Sequence, residues 1–305
     1  MCDTMKSDPK RINIELSILI VSYNAIQFLD NCLASIKEFL TSTYEVILVD
    51  NGSNDGTSRH IRENYPWVKL IRSERNLGFT AGNNLAARAA DGKFMLLLNA
   101  DTKLLTDVQP AIDLLTSDPK IGVVGGLMYR KNGAVGQSTG HFPSAFRLWL
   151  IKSLWIRSQV PYGGADQQIF RADWVEGAFL MTSRENWQAL GGLDEYYFLC
   201  GDDMDFCRAT VERGLEVVQC TKIRYIHFGG HTPNRAKFLY GGFRHYHKKF
   251  SGPVETVFAD VVLRVGLVIR ITTFGVLYFL TRRPQTKEKL MGFIDAHRNW
   301  AAMTP

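Results

Sequence analysis

Two short apolar runs, each followed by an acidic residue and a polar turn, most constrain how this chain can fold. The first is Glu45-Val-Ile-Leu-Val-Asp50, and the second is Phe94-Met-Leu-Leu-Leu-Asn99-Ala-Asp101. Uninterrupted apolar runs of this length between turn residues are typical of parallel strands that are buried on both faces. Ligands of open parallel sheets bind outside the carboxyl ends of the strands, so the two acids predict a site for a nucleotide and a cation.

The first half of the chain alternates strand and helix patterns. Apolar runs at residues 16–21 and 68–71 predict two further strands, and a helical stripe begins at Ile26. This order predicts right-handed crossovers and a mostly parallel central sheet flanked by helices. Farther along, one strand is expected at residues 174–182 and a helix at residues 203–213. At 305 residues and 46% hydrophobic content, the chain is long enough for one α/β domain with an appendage.

The acids at the strand ends each have a chemical and a structural interpretation. Asp50 could accept hydrogen bonds from a base or ribose, or it could cap the turn and the next helix. Asn99 and Asp101 offer oxygen ligands that suit Mg²⁺ or Mn²⁺ beside a diphosphate. A turn with a helix cap explains them equally well, and the local pattern leaves both interpretations open.

A third acidic group precedes the helix expected at residues 203–213. Asp202, Asp203 and Asp205 follow an aromatic run, and helix N-termini favour acids for structural reasons alone. Crowding by like charge also raises the pKa of a carboxyl group toward the range of a general base. His227, just before two glycines, could bind Mn²⁺, although a lone histidine among apolar residues is more often structural.

Missing motifs argue against several classes of protein. The sequence contains no Gly-x-x-x-x-Gly-Lys-Ser/Thr phosphate loop and no Gly-x-Gly-x-x-Gly fingerprint. ATPase and dinucleotide-binding functions therefore lose support. The five cysteines show no Cys-x-x-Cys spacing, which favours reduced thiols in the cytoplasm.

The ordered set of motifs resembles the inverting glycosyltransferases of family 2, which have the GT-A fold, and particularly their bacterial rhamnosyltransferase-like branch. The resemblance covers about residues 15–232. It is carried by Val21-Ser-Tyr-Asn24, Val49-Asp-Asn-Gly-Ser53, Asp55-Gly56, Asn76-Leu-Gly-Phe79, Gly82-Asn83-Asn84, Leu98-Asn-Ala-Asp101, Gly192-Leu-Asp-Glu195, Phe198 and Asp203-Met-Asp205. The chain departs from the family pattern at Asn99, where the metal motif often begins with Asp, and at Asp202, where many members have Glu.

The resemblance implies a role for each matching position. Asp203 would be the general base with Asp202 beside it in the acceptor site, and Asp101 and His227 would hold Mg²⁺ or Mn²⁺ on the diphosphate. The nucleotide-sugar would contact Ser22, Tyr23, Asn24, Asp50, Asn51, Asn76, Gly78, Asn84, Asn99 and Ala100.

The resemblance also implies a reaction, in which a sugar moves from a nucleotide-diphosphate donor to a hydroxyl group. The branch favours dTDP-L-rhamnose as donor, with UDP-sugars as the alternative. The expected acceptor is a glycan or a polyprenyl-diphosphate-linked glycan of the cell surface. Two other functions remain open: a sugar nucleotidyltransferase, and an inactive relative that serves as a membrane-bound scaffold.

The charge and composition of the tail predict a third segment. We expect a polar extension at residues 1–14, a glycosyltransferase domain at residues 15–252 divided near residue 125, and an amphipathic helical tail at residues 253–305. From residue 231 onward there are 12 Lys and Arg against 4 Asp and Glu, so the net charge of +6 is not a footprint for nucleic acid.

The longest uncharged piece of the tail has only eleven residues, 271–281, which is too short to span a bilayer. The tail is therefore predicted to lie on the cytoplasmic face of the cell membrane, with helix packing or a homodimer interface as the alternative. The basic residues Arg244, His245, His247, Lys248 and Lys249 could contact acceptor phosphates, or they could be solvated surface charge.

Overall fold

The computed structural model describes residues 14–153, 168–229 and 235–300. All but the last residue of the predicted N-terminal extension, 1–14, lies outside these ranges, as do the final residues of the predicted tail. Eleven strands are present in the described part of the chain. They are β1 (Leu16–Ser22), β2 (Tyr44–Asn51), β3 (Lys69–Ser73), β4 (Phe94–Leu98), β5 (Thr102–Leu104), β6 (Ile121–Arg130), β7 (Thr139–Gly140), β8 (Ile169–Arg171), β9 (Trp174–Val175), β10 (Phe179–Ser183) and β11 (Glu216–His227).

Nine of these strands form one sheet in the order β3-β2-β1-β4-β10-β6-β11-β5, with β8 also paired to β11. The first four strands are mutually parallel, as the alternating pattern predicts. The other half of the sheet is mixed, because β10 runs antiparallel to both β4 and β6. Since β10 lies between β4 and β6, the two predicted halves of the domain share a single sheet.

The single strand expected at residues 174–182 is interrupted in the structure. β9 pairs with β7 in a separate two-stranded sheet, and β10 belongs to the main sheet. Between them the backbone turns at residues 176–178, where the N–H of Phe179 donates to the carbonyl of Glu176 at 3.1 Å. The prediction of one continuous strand was wrong because tertiary pairing with two different sheets outweighs the local apolar run.

Helices cover both faces of the main sheet. They are α1 (Ile26–Phe39), α2 (Thr57–Asn64), α3 (Phe79–Arg88), α4 (Gln109–Ser117), α5 (Ala145–Ser153), α6 (Arg184–Leu190), α7 (Asp202–Glu212), α8 (Arg235–Phe250), α9 (Pro253–Thr281) and α10 (Pro284–Arg298). On one face Ile18 and Leu48 pack with α1 and α4, and on the other Leu19 and Val49 pack with α3, α6 and α7. Burial on both faces is the physical reason why the strand runs contain no polar alternation.

The C-terminal helices enclose a third core. Leu263 and Leu267 of α9 pack with Leu148 of α5, Tyr240 of α8 and Ala296 of α10. Among the described residues, α9 is the one helix that is long and apolar enough to cross a membrane by length and composition, and 22% of its most apolar 18-residue window is buried. α9 is a single helix of 29 residues, which is longer than the eleven-residue uncharged piece at its C-terminal end.

Candidate active site

The carboxyl ends of β2, β1 and β4 meet at one edge of the sheet, in that order. Ser22 is the register partner of Asp50, and Leu97 lies beside Leu19 across β1 and β4. Asp50 at the end of β2 and the end of β4 that leads to Asp101 therefore lie on either side of the β1 end. This edge is where the strand-end acids were expected.

Asp50 is enclosed by its own turn. The carboxylate is 1% exposed, accepts the backbone N–H of Ser53 at 2.9 Å and accepts the hydroxyl of Ser58 in α2. These bonds show that Asp50 caps the turn and contacts the next helix, as one of its two interpretations predicts. A nucleoside would have to use the remaining lone pairs of the carboxylate, so its role in binding stays a prediction.

The turn after β1, residues 22–24, is hydrogen-bonded to the turn after β2, residues 52–55. Asn24 has a left-handed backbone (φ 49°), its N–H donates to the hydroxyl of Ser53, and its Oδ1 accepts the N–H of Asn54 at 3.0 Å. Ser22 is fully buried, and its hydroxyl has no partner among the described residues. Tyr23 lies at the rim with 51% of its surface exposed, so its ring is accessible to a ligand.

Asn51 holds the loop before α3 in place. Its amide nitrogen donates to Oδ1 of Asn76 at 3.0 Å and to the carbonyl of Gly78 at 2.9 Å, while its Oδ1 accepts the N–H of Leu77 at 2.9 Å. The N–H of Phe79 then donates to the carbonyl of Phe198 at 2.7 Å, which ties this loop to the segment before α7.

Gly78 is the tightest point of this connection, with φ +87° and space for no side chain. A β-carbon there would lie 2.6 Å from the carbonyl oxygen of Phe198. We expect Gly78→Ala to lower the free energy of unfolding by roughly 2–4 kcal/mol, because it adds a backbone clash to the left-handed strain. The measurement is a urea unfolding curve.

Gly133→Ala is the matched control for this experiment. Gly133 also has positive φ (+79°), but nothing lies within 4 Å of the added carbon, so only the conformational cost of about 1–2 kcal/mol is expected. Equal losses at the two positions would show that contact with the Phe198 carbonyl contributes nothing.

Asn84 links α3 to the loop that precedes the acidic group. Its amide nitrogen donates to the carbonyl of Leu193 at 2.8 Å and to Glu195 at 3.0 Å, and its Oδ1 accepts the N–H of Leu193 at 2.9 Å. Each polar atom of this buried side chain is thus engaged within the protein. Ala100 is buried in the core beneath this edge, at 5% exposure, and its contact with a nucleotide-sugar stays a prediction.

Asp101 and His227 are brought together by strand pairing. β5 begins directly after Asp101 and runs antiparallel to the end of β11, which puts His227 opposite Thr102. Nε2 of His227 lies 3.3 Å from Oδ1 of Asp101, and both side chains are 16% exposed. Two neighbouring ligands of an octahedral Mg²⁺ lie about 3.0 Å apart at bond lengths near 2.1 Å, so this pair fits a shared divalent cation.

The surroundings of His227 favour a positive charge. Burial lowers the pKa of the imidazole, but hydrogen bonds and the charges of Asp101 and Glu176 outweigh it and raise the pKa to about 10. Without a cation the ring therefore holds two protons at neutral pH, and a metal ion has to replace the one on Nε2. Asn99 also lies here, with its Nδ2 3.4 Å from Nε2 and its Oδ1 buried without a partner among the described residues.

Glu176, which the sequence reasoning missed, lies on the other side of His227. Its Oε1 is 3.7 Å from Nδ1 of His227, and its Oε2 is buried with no hydrogen-bond partner in the described part of the chain. The only sequence signal was a charged residue followed by glycine inside a run interpreted as one apolar strand.

Asp202 and Asp203 begin α7, just after Gly201, which is left-handed at φ +103°. Asp203 is half-buried, and its carboxylate accepts the N–H groups of Met204 at 2.8 Å and Gly177 at 3.3 Å. Burial raises the pKa of Asp203 to about 6, and the charge of Glu176 adds to the shift. Burial, followed by the charge of Asp203, raises the pKa of the buried Asp202 well above its usual range.

Asp205 belongs to a separate ion-pair network. Its carboxylate accepts Lys249 at 2.8 Å and the hydroxyl of Tyr197 at 3.0 Å, and Lys249 also donates to Asp194 at 2.9 Å. Ligand atoms of Asp194, Asp205 and His245 lie within 4.8 Å of one another, and the Lys249 ammonium bridges the two carboxylates.

This network changes the interpretation of the basic residues of α8. Arg244 pairs with Asp260, His245 and Lys249 pair with Asp194, and His247 is buried. Arg244 joins α8 to α9, and Lys249 joins α8 to α7. These residues have contacts within the protein, and their contact with acceptor phosphates stays a prediction.

Comparison with known proteins agrees with this geometry. The sequence pattern of the family described as Glycosyl transferase family 2 matches residues 17–178, just over half of the chain. The chain belongs to glycosyl transferase family 2. The resemblance inferred from the motifs is confirmed, and membership favours sugar transfer over sugar nucleotidyl chemistry.

A curated relative and two solved structures extend the comparison. The N-acetylglucosaminyl-diphospho-decaprenol L-rhamnosyltransferase of Mycobacterium tuberculosis is 25% identical over 239 residues, 72% of this chain and 78% of that protein. The structure of GalNAc-T7 with UDP, GalNAc and Mn²⁺ aligns with a TM-score of 0.61 at 17% identity, covering 78% of this chain and 48% of that one. The structure of the mannosyltransferase PcManGT from Pyrobaculum calidifontis with GDP-Man and Mn²⁺ aligns with a TM-score of 0.55 at 16% identity. The alignment covers 95% of this chain and 87% of that one. The predicted GT-A fold is confirmed.

Proposed function

We propose that this family 2 member is an inverting transferase that moves L-rhamnose from dTDP-L-rhamnose to a hydroxyl group of a polyprenyl-diphosphate-linked glycan. A UDP-sugar is the alternative donor. The observation that carries the proposal is the half-buried carboxylate of Asp203, with its pKa near 6, joined through the 176–178 turn to the pair of Asp101 and His227. The name of the mycobacterial relative supports both the sugar and the lipid-linked acceptor.

Asp203 acts as the general base in this proposal. The backbone N–H groups of Met204 and Gly177 orient its carboxylate, which removes the proton of the acceptor hydroxyl as that oxygen attacks the anomeric carbon. A pKa near 6 makes the group ionised at neutral pH and basic enough to take a proton. The raised pKa of Asp202 disfavours a second negative charge beside it.

The donor half of the site occupies the strand ends. Tyr23 is exposed enough to stack on a base, and Asn51 and Asn76 shape the loop around Gly78. Asn24 holds the two turns together, and Asp50 closes the second turn. Asp101 and His227 would hold Mg²⁺ or Mn²⁺. Bound there, the ion would neutralise the charge that builds on the leaving diphosphate.

The test is a transfer assay on the purified chain with Mg²⁺ or Mn²⁺, a panel of nucleotide-sugars and a polyprenyl-diphosphate-linked N-acetylglucosamine. The expected product carries rhamnose with the anomeric configuration inverted, as read by NMR. A thermal-shift screen of the same nucleotides identifies binding independently, since a ligand of the native state raises the unfolding temperature. Nucleotide binding without hydrolysis or transfer from any donor would support the inactive scaffold instead.

We also propose that α9 lies on the cytoplasmic face of the membrane. Its outward side is a stripe of exposed apolar side chains that we call the α9 stripe: Val254, Val257, Phe258, Val261, Val265, Val268, Val276, Phe279 and Leu280. Charged residues of the helix have protein contacts instead. Asp260 pairs with Arg244, Arg264 and Arg270 lie over the rings of Trp300 and Phe293, and Glu255 accepts the N–H of Ala145.

One face of α9 is thus tied to α5, α8 and α10, which favours a helix in the interface over one that leaves the protein to span the bilayer. We expect the Val261→Glu, Val265→Glu double variant to bind vesicles of anionic phospholipid at least about tenfold more weakly, because it puts two carboxylates on the stripe. Vesicle co-sedimentation measures the effect.

Val135→Glu is the control, since Val135 is an exposed valine outside the α9 stripe. Unchanged vesicle binding by the double variant would contradict the membrane proposal. A wild-type dimer in the absence of lipid, converted to monomer by the double variant, would assign the stripe to a homodimer interface.

A further inference from the structure

The turn at residues 176–178 contacts both halves of the proposed site. Glu176 faces His227 at 3.7 Å, the N–H of Gly177 donates to Asp203 at 3.3 Å, and the carbonyl of Ala178 accepts the N–H of Asn99 at 3.2 Å. The backbone of Glu176 is itself anchored, because its N–H donates to the carbonyl of Ser138 at 2.8 Å. Its side chain thus projects from a fixed point beside His227.

His227 has two ring nitrogens with different neighbours. Nε2 faces Asp101 at 3.3 Å, and Nδ1 faces Glu176 at 3.7 Å. A neutral imidazole carries one N–H, so Nε2 can bind a cation only when the proton lies on Nδ1. A carboxylate facing Nδ1 stabilises that tautomer and fixes the orientation of the ring.

Among the described residues, the carboxylate of Glu176 has no ion pair other than the one with His227. Oε2 is buried and has no hydrogen-bond partner among the described residues. A buried carboxylate oxygen without a partner is destabilising, and it gains nothing for the turn, which the backbone of Glu176 already holds. The cationic group within ion-pair distance of this carboxylate is His227, in the part of the chain that the structure describes.

We propose that Glu176 is a positioning residue that keeps the proton of His227 on Nδ1 and turns Nε2 toward Asp101, so that these two residues bind a divalent cation together. The inference rests on the proposed function only for the use of that cation. It assigns a role to a residue that the family motifs of this sequence do not include.

The test compares wild-type enzyme with Glu176→Gln, which keeps the shape of the side chain and removes its charge. Calorimetry with UDP and dTDP, with Mn²⁺ and with EDTA, is expected to show a loss of about 10- to 100-fold in the Mn²⁺-dependent affinity and no change in EDTA. Glu185→Gln, an exposed glutamate in the first turn of α6, is the matched control. Equal Mn²⁺-dependent affinity in Glu176→Gln and wild type would overturn the inference.

A second measurement tests the tautomer without Glu176→Gln. In wild-type enzyme with Mg²⁺ and nucleoside diphosphate, the ¹⁵N NMR shifts of the His227 ring, assigned by comparison with His227→Asn, should show a protonated Nδ1 and an unprotonated Nε2. The opposite tautomer would overturn the inference.

Transfer assays separate this inference from the proposed function. If Glu176→Gln loses Mn²⁺-dependent binding while the wild type transfers no sugar, the positioning role stands and the proposed function fails. If the wild type transfers sugar and Glu176→Gln keeps its Mn²⁺-dependent binding, the proposed function stands and the positioning role fails.

Discussion

Asp203→Asn is expected to lower the rate of sugar transfer by roughly 10²- to 10⁴-fold, the usual contribution of a general base. The amide cannot take the proton of the acceptor hydroxyl, yet its one oxygen can still accept the nearer of the two backbone N–H groups, that of Met204 at 2.8 Å. Nucleotide affinity should therefore stay within a few-fold of wild type. Steady-state kinetics and calorimetry on the same preparation give both quantities.

The pH profile supplies the control for this variant. Because burial raises the pKa of Asp203 to about 6, kcat/KM of the wild type should fall as the pH drops below 6, where the base becomes protonated. The residual activity of Asp203→Asn should lack this acid limb. Near-wild-type turnover by Asp203→Asn, or an unchanged acid limb, would remove Asp203 from the mechanism.

Asp101→Ala is expected to weaken the Mn²⁺-dependent part of nucleotide binding by at least about 100-fold. Loss of a residue that only supports a metal ligand typically costs 10- to 100-fold, so loss of a direct ligand should cost no less. Binding in EDTA should change little, because Asp50 and Asn51 lie at the end of a different strand, β2. Calorimetry with and without Mn²⁺ measures the difference.

Asp113→Ala is the control for Asp101→Ala, since Asp113 is an exposed aspartate on α4, away from the strand ends. If Asp101→Ala retains the full gain in affinity on addition of Mn²⁺, the cation is held elsewhere. A fall in affinity that is equal in EDTA and Mn²⁺ would indicate that Asp101 supports the fold of the β5 turn instead.

The parallel half of the fold was predictable because its signals are local. Runs such as residues 45–49 are apolar throughout, since both faces of the sheet are covered, and each ends in a turn at the same edge. The position of β10 was not predictable in this way. Its place between β4 and β6 depends on partners more than fifty residues distant in the chain.

The candidate site was also predictable only in part. The sequence indicated Asp101, Asp203 and His227 individually, but it did not distinguish a ligand from a structural contact. The structure shows that Asn84 and Asp50 are engaged by the protein itself, whereas Glu176 has a buried oxygen without a partner in the described part of the chain. Such distinctions depend on which groups surround a side chain, and a linear pattern does not contain that information.

By itself the sequence determined the strand ends, the family and the acids at the edge of the sheet, because periodicity, turn chemistry and motif order are properties of neighbouring residues. Only the tertiary structure decided that β5 pairs with the end of β11, and so puts His227 beside Asp101 from a distance of 126 positions. It also decided that a predicted strand turns at Glu176. Both outcomes come from hydrogen bonds and burial between distant segments, whose energies exceed the local preferences of the residues involved.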